Sequence, residues 1–345
     1  MKLLGDHEGD WVSVHVDSDD DLWYLRNIIS PDDMVRMTVL RRVEKQQDIN
    51  RSKETQRKPV TVTVKVESVD FQDFSSTLRI LGTIVAGPDE TLGLHQSFNI
   101  SPGDSFDLVK QNWSETQRKL LAEATDNTYS QKFYFITIDD EAAQLVMLKS
   151  YGLQSLGKID SHRPGKDYES DFSETQYLRE VIDSARKMFP EGSTIVILGA
   201  GFTREKLIKA FRSYGSLKFQ VLTFPTTRSD AGAVWEFLNS QESDALFRNL
   251  RISDESRLVE SFLKHLKTDG LAAYGISEVQ RSLQAGAVET LLISEVKFRT
   301  EEGGAMVDLA HNYSTNVHIV SVGTDPGKIV SSFGGYCAIL RYRIS

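Results

Sequence analysis

The sequence predicts a multidomain α+β and α/β protein with three parts: a small N-terminal β barrel, a central α/β domain and a C-terminal α/β sandwich. Its 345 residues exceed what one ordinary hydrophobic core organises. About the first 110 residues carry apolar–polar alternation typical of strands, whereas strand-like and helix-like runs alternate from Lys132 onward. We place the domains at 1–126, 131–250 and 254–345.

Three segments of the N-terminal part have the two-residue period of a strand with one buried face. The clearest is VTVTVKVESV (60–69), and MVRMTVLRRV (34–43) and TLRILGTIVAG (77–87) follow the same pattern. A short helix is predicted at 19–29. A bridging helix should begin at Ser114, because Gln117 stands at capping-box spacing from it.

The other two parts alternate strands with helices. In the central part, KFYFITI and EAAQLVMLKS are strand-like, Ser173 with Gln176 has the spacing of a second capping box, and STIVILGAGF (193–202) runs into a helix from about Thr203. The C-terminal part begins with the helix 254–267. Helix-then-strand units follow it and predict a small α/β sandwich.

The composition narrows the classes of function. A net charge of −9 argues against a protein that coats nucleic acid indiscriminately. No apolar run is long enough to span a membrane and no signal-peptide core precedes Trp11, so we expect a cytoplasmic protein without membrane contact. The single cysteine, Cys337, is expected in the core.

One segment, 41–58, carries a net positive charge, whereas the chain as a whole carries a net negative charge. It has seven basic and three acidic side chains, whereas residues 1–40 have nine acidic and three basic ones. We expect an exposed loop at 44–58 between two strands, either an RNA contact or a solvated loop that favours solubility. It has no aromatic residue, so contact with the RNA backbone is expected rather than base stacking. Its basic residues are Arg41, Arg42, Lys45, Arg51, Lys53, Arg57 and Lys58.

A second basic loop is predicted around Pro164-Gly165. It displays His162, Arg163 and Lys166. Contact with an RNA backbone is one interpretation and an ordinary surface turn is the other.

Four carboxylates lie close together at Asp17, Asp19, Asp20 and Asp21. Such a cluster suits a divalent metal cation, which can assist RNA hydrolysis. The simpler interpretation is that these residues stabilise the positive N-terminal end of a helix.

Gly199-Ala200-Gly201 follows a strand and precedes a helix, but it lacks the third glycine of a dinucleotide site and the Gly-Lys-Ser/Thr of a P-loop. We therefore expect a tight turn that presents Phe202 as an exposed contact. The seven histidines and one cysteine form no zinc pattern. No other cofactor is predicted, and the sequence identifies no catalytic residue.

Four stretches in order carry a resemblance to a known family: DDLWYLRNIISPDDMVRMTVLRRV (20–43), ILGAGFTREKL (197–207), AYGISEVQRSLQAGAVETLLISEVKFR (273–299) and FGGYCAILRY (333–342). They resemble the Pelota family in its archaeal form. Its members are ribosome-rescue relatives of the eukaryotic and archaeal class-1 peptide release factor.

The resemblance implies an Sm-like barrel and a C-terminal domain similar to kink-turn-binding ribosomal proteins. It also implies a monomeric factor that recognises stalled ribosomes and enters the A site with a translational GTPase of the elongation factor 1-alpha type. An ABC-type ATPase then splits the subunits. By resemblance, the segment 41–58 faces the decoding centre, the rRNA and the mRNA channel, the loop with His162 contacts RNA, and Gly201 and Phe202 contact the GTPase.

Two departures qualify the resemblance. The chain has no Gly-Gly-Gln, because its Gly-Gly pairs precede Ala305 and Tyr336, so peptidyl-tRNA hydrolysis is not expected. Ala200 stands where family members often have proline. A metal-dependent endoribonuclease activity described for the family is the alternative function, and Asp19, Asp20 and Asp21 are its candidate metal ligands.

Overall fold

The computed structural model divides into two compact units, Met1–Asn127 and Thr128–Ser345. It describes residues 1–4, 11–43, 56–72, 76–126, 132–162, 173–213, 219–243, 251–268 and 270–344, without the side chains of 41–43, 56, 57, 251 and 252. The second unit contains two separate sheets. Three independent domains therefore stay a prediction. None of the described helices is long and apolar enough to cross a membrane.

The first unit is one antiparallel sheet of seven strands in the order β1-β2-β7-β3-β4-β5-β6. Closure of this sheet into a barrel stays a prediction. Two helices accompany it, α1 (Asp19–Ile28) and α2 (Glu115–Thr125). The strands are β1 (Lys2–Leu3), β2 (Trp11–His15), β3 (Met34–Val43), β4 (Gln56–Gln72), β5 (Thr77–Ala86), β6 (His95–Ile100) and β7 (Ser105–Val109).

Strand β4 extends beyond its predicted limits of 60–69 at both ends. Its valines alternate as expected, with Val62 and Val64 buried. The predicted loop 44–58 is corrected, because residues 56–58 continue the β4 ladder with β3. Pro59 is tolerated because pairing with β5 begins only at Thr63, so this end of β4 has a single neighbour.

The central sheet of the second unit has the order β10-β9-β8-β11-β12, in which β8, β11 and β12 are parallel. Helices α3 (Glu174–Met188) and α4 (Phe202–Ser213) pack on one face, and α5 (Gly232–Leu238) packs on the other. The strands are β8 (Phe133–Ile138), β9 (Ala142–Lys149), β10 (Gly152–Asp160), β11 (Thr194–Gly199) and β12 (Gln220–Pro225).

The C-terminal sheet has the order β13-β16-β14-β15. Its strands are β13 (Ala272–Tyr274), β14 (Val288–Ser294), β15 (Asn316–Val320) and β16 (Tyr336–Leu340). Five helices surround it, namely α6 (Arg251–Thr268), α7 (Ile276–Gln284), α8 (Glu295–Phe298), α9 (Glu301–Asn312) and α10 (Asp325–Ser332). Cys337 is buried in β16, as predicted. The multidomain α+β class is confirmed.

Candidate functional site

The hairpin of β3 and β4 places basic residues directly opposite one another. The ladder pairs Arg41 with Lys58 and Arg42 with Arg57. Two adjacent steps of this backbone ladder therefore consist of basic residues only. Lys58 is exposed. The hairpin arms therefore carry a concentration of positive charge that an anionic partner would neutralise.

Most other residues of the two predicted basic loops lie outside the described residues. This holds for Lys45, Arg51, Lys53, Arg163 and Lys166. His162 is described: it is exposed, lies two residues after the end of β10 and has a φ of 53°. The RNA contacts of both loops stay predictions.

The carboxylate of Asp21 is engaged within its own helix terminus. It accepts hydrogen bonds from the backbone N–H groups of Asp17 at 2.7 Å and Ser18 at 2.9 Å. The amino group of Met1 lies 2.9 Å from the same carboxylate and 3.4 Å from that of Asp17. Asp21 is buried, with 4% of its surface exposed. Its oxygens therefore satisfy backbone donors and a local cation, as the simpler interpretation expected.

The metal prediction at Asp19, Asp20 and Asp21 is not supported. Among the described residues, no group of three or more His, Cys, Asp or Glu side chains is arranged to hold a metal ion. Asp19 and Asp20 form other interactions, and Asp21 is committed to the helix terminus. The endoribonuclease alternative and its candidate ligands Asp19, Asp20 and Asp21 stay a prediction that the described geometry does not support.

The turn between β11 and α4 depends on two glycines. A Cβ at Gly199 would lie 2.0 Å from the carbonyl oxygen of Ile138, and Gly201 has a φ of 74°. The backbone N–H of Ala200 donates to the hydroxyl of Ser229 at 3.3 Å. The turn thus forms without proline at position 200. Nothing in the sequence pointed to Ser229, because the contact arises only when two loops meet at the sheet edge.

Phe202 stands at the start of α4 with 77% of its surface exposed. Helix α4 is held to the sheet by Leu207 and Phe211, which are buried in the core shared with α3. An aromatic side chain this exposed on a well-anchored helix is a suitable centre for a protein contact. The expected exposure of Phe202 is confirmed, whereas its partner is a matter for proposal.

Comparison with known proteins matches the two ends of the chain to domain models. The Pelota N-terminal domain model matches residues 1–125, and the eRF1 domain 3 model matches residues 252–344. A protein pelota homolog of Thermoplasma acidophilum is 39% identical over 332 residues, covering 96% of each chain. The chain belongs to the Pelota family. The Picrophilus torridus pelota homolog is 37% identical and covers 100% of both chains.

Two solved structures agree with this fold. The crystal structure of Thermoplasma acidophilum Pelota superposes with a TM-score of 0.81 at 32% identity and covers 100% of both chains. S. cerevisiae Dom34 superposes with a TM-score of 0.53 at 20% identity, covering 100% of this chain and 99% of its own. At that identity, the yeast protein supports the fold alone.

Proposed function

We propose that this protein is a ribosome-rescue and mRNA-surveillance factor of the cytoplasm. It recognises a stalled ribosome, occupies the A site with a translational GTPase and promotes ribosome release with an ABC-type ATPase, in no-go and non-stop mRNA decay. The observation that carries the proposal is the β3–β4 ladder, in which Arg41 faces Lys58 and Arg42 faces Arg57. This arrangement suits contact with the phosphates of rRNA or mRNA.

Three further points support the proposal. S. cerevisiae Dom34, which shares the fold, is a translation termination-like factor involved in RNA quality control pathways and interacting with Hbs1. In the present chain, exposed Phe202 follows a glycine-constrained turn and provides a contact for the GTPase. The absence of Gly-Gly-Gln from the sequence fits a factor that releases ribosomes without hydrolysing peptidyl-tRNA.

The test compares the basic end of β4, at Arg57 and Lys58, with one lysine further along the same strand. Lys58 lies opposite Arg41, whereas Lys65 forms an ion pair with Asp32 at 2.8 Å. We expect Arg57→Gln with Lys58→Gln to weaken binding to purified archaeal ribosomes about threefold to tenfold at low salt and to flatten its salt dependence, because fewer counterions are released. Lys65→Gln is the matched control and should leave both quantities unchanged.

Two results would contradict RNA contact by the hairpin arms. Equal ribosome affinity for the double variant and the wild type would show that the hairpin arms do not contact RNA. Equal losses for the double variant and for Lys65→Gln would indicate a general charge effect, and would equally contradict a site at the hairpin.

A further inference from the structure

Two turns and the segment after β16 meet at one end of the C-terminal sheet. The hydroxyl of Tyr342 donates to the backbone carbonyl of Ala285 at 2.6 Å. The guanidinium of Arg341 donates to the carbonyls of Ser314 at 2.8 Å and Gly286 at 3.5 Å. Because these carbonyls belong to the turns before β14 and β15, the fold holds both side chains in place.

A second tyrosine lies beside the first. Gly286 has a φ of 67°, and a Cβ built on it would lie 3.6 Å from the ring of Tyr313 and 3.8 Å from the hydroxyl of Tyr342. Both aromatic side chains therefore border this glycine. Tyr313 is 39% exposed and Tyr342 is 49% exposed. We call Tyr313, Arg341 and Tyr342 together the tyrosine–arginine surface.

This surface carries a positive charge that no carboxylate neutralises. Arg341 is exposed, and in the part of the chain that the structure describes it contacts neutral carbonyls and forms no ion pair. A guanidinium has five N–H donors, so several remain for a ligand. The segments 284–287, 311–315 and 341–344 contain two arginines and no aspartate or glutamate, in a protein of net charge −9. The surface therefore attracts an anion.

RNA fits this surface better than a protein partner does. An exposed aromatic ring offers a face on which any base stacks, and a guanidinium matches a phosphate group with paired hydrogen bonds. A protein interface usually has a more apolar centre. Within these three segments, all of which the structure describes, the tyrosines are the only large apolar side chains that are exposed. Their exposed neighbours Gln284 and Asn312 are polar.

We propose that the tyrosine–arginine surface binds a single-stranded segment of RNA. A base stacks on the ring of Tyr342 or Tyr313, and the guanidinium of Arg341 binds a neighbouring phosphate. The two basic loops predicted from the sequence contain no aromatic residue, so this surface supplies the base stacking that they lack. The binding needs neither a ribosome nor a GTPase, and it goes beyond the proposed function.

The test measures binding of a fluorescein-labelled oligoadenylate to the full-length protein by fluorescence anisotropy. We expect Tyr313→Leu with Tyr342→Leu to weaken binding about fivefold or more, because both stacking faces are lost. Tyr313→Phe with Tyr342→Phe is the matched control. It also lacks the hydrogen bond to Ala285 but keeps both rings, so it should bind within about twofold of the wild type. Urea denaturation verifies that both pairs of substitutions leave the protein folded.

Two further comparisons separate base stacking from charge and from the hairpin. Heparin is a polyanion without bases, and its affinity should be equal for the leucine and phenylalanine pairs. The loss of RNA affinity should persist when Arg57→Gln and Lys58→Gln are also present, because the tyrosine–arginine surface acts independently of the hairpin arms.

Three results would overturn the proposal. Equal RNA affinity of the leucine and phenylalanine pairs would leave a protein as the occupant of the surface. An equal loss of heparin affinity would show that the rings stack on no base. A loss that disappears with Arg57→Gln and Lys58→Gln would assign the RNA contact to the hairpin alone. Unchanged ribosome binding by the hairpin variant, in contrast, would contradict the proposed function and leave this surface standing.

Discussion

The hydroxyl of Ser321 donates to the backbone carbonyl of Tyr151 at 2.8 Å, and this bond joins residues 170 positions apart in the chain. Both residues are buried. A Cβ on Gly323 would lie 2.8 Å from the same carbonyl oxygen. The loop after β15 therefore meets the turn between β9 and β10 backbone against backbone, without room for a further methyl group.

This close approach makes Gly323→Ala destabilising. The added methyl must displace the Tyr151 carbonyl and loosen the Ser321 hydrogen bond, so we expect a loss of about 1 to 3 kcal/mol in the free energy of unfolding. Gly304→Ala is the control, because no atom other than the adjacent backbone of α9 lies within 4 Å of its Cβ position. There we expect a gain of about 0.5 to 1 kcal/mol. Urea denaturation measures both, and an equal effect of the two substitutions would contradict the contact.

A buried ion pair fixes the end of β7 to the start of β3. The ammonium of Lys110 lies 2.7 Å from the carboxylate of Asp33 and donates to the Ser30 hydroxyl at 3.1 Å. Lys110→Met would leave Asp33 buried without its cation, so we expect a loss of about 3 to 5 kcal/mol of stability at neutral pH. The combined change with Asp33→Leu should recover much of that loss. A double variant no more stable than Lys110→Met would contradict this account.

The same pair predicts a pH dependence. Burial raises the pKa of the Asp33 carboxyl, and the hydrogen bond from Lys110 opposes the rise. In Lys110→Met the opposing contribution is absent, so the folded state holds the Asp33 proton more tightly than the unfolded state does. The variant should therefore gain stability as the pH falls from neutral towards about 5, relative to wild type measured in parallel. Equal pH profiles would contradict the assignment.

Cys337 should be inert in the folded protein. It is fully buried in β16, and burial raises the pKa of its thiol to about 12. Because the thiolate is the reactive form, we expect Ellman's reagent to leave native protein unlabelled at about pH 8 and to label one thiol after unfolding in urea. Rapid labelling of the native protein would show that β16 is open to solvent.

Asp21 should act on stability and not on metal binding. Asp21→Asn weakens an acceptor of two backbone N–H groups and removes the ion pair with the Met1 amino group. We expect a loss of about 1 kcal/mol or more in thermal denaturation. Asp32→Asn, which affects only the exposed pair with Lys65, should cost less than about 0.5 kcal/mol. A fall in manganese affinity by calorimetry for Asp21→Asn alone would restore the metal interpretation.

Periodicity predicted the elements whose packing depends on local pattern. The alternating valines of β4 and the apolar run of β11 were placed correctly, and both hydrogen bonds of the Ser114–Gln117 capping box are present. The second box is only half formed. Ser173 accepts from the Gln176 backbone at 3.4 Å, but the Gln176 side chain donates to Glu180 at 3.1 Å. Spacing alone does not show whether the Gln176 amide accepts from the Ser173 backbone N–H, as a capping box requires, or donates to the Glu180 carboxylate.

Contacts between segments that lie far apart in the chain could not be predicted from the sequence. Strand β10 is only partly buried and carries polar residues, so it lacks a clear alternation and was not predicted. The ion pair of Asp21 with the Met1 amino group and the hydrogen bond of Ala200 with Ser229 depend on segments that the fold brings together. The exposure of Phe202 was predictable because a turn with two glycines ends directly before it.

The paired cations of the β3–β4 hairpin also bear on how the protein distinguishes its targets. Under the proposed function, the hairpin arms contact the RNA backbone and read no bases, so abundant cellular RNA competes for them at an affinity set by ionic strength. The protein then distinguishes its targets by access, because the hairpin binds only where the mRNA channel is empty enough to admit it.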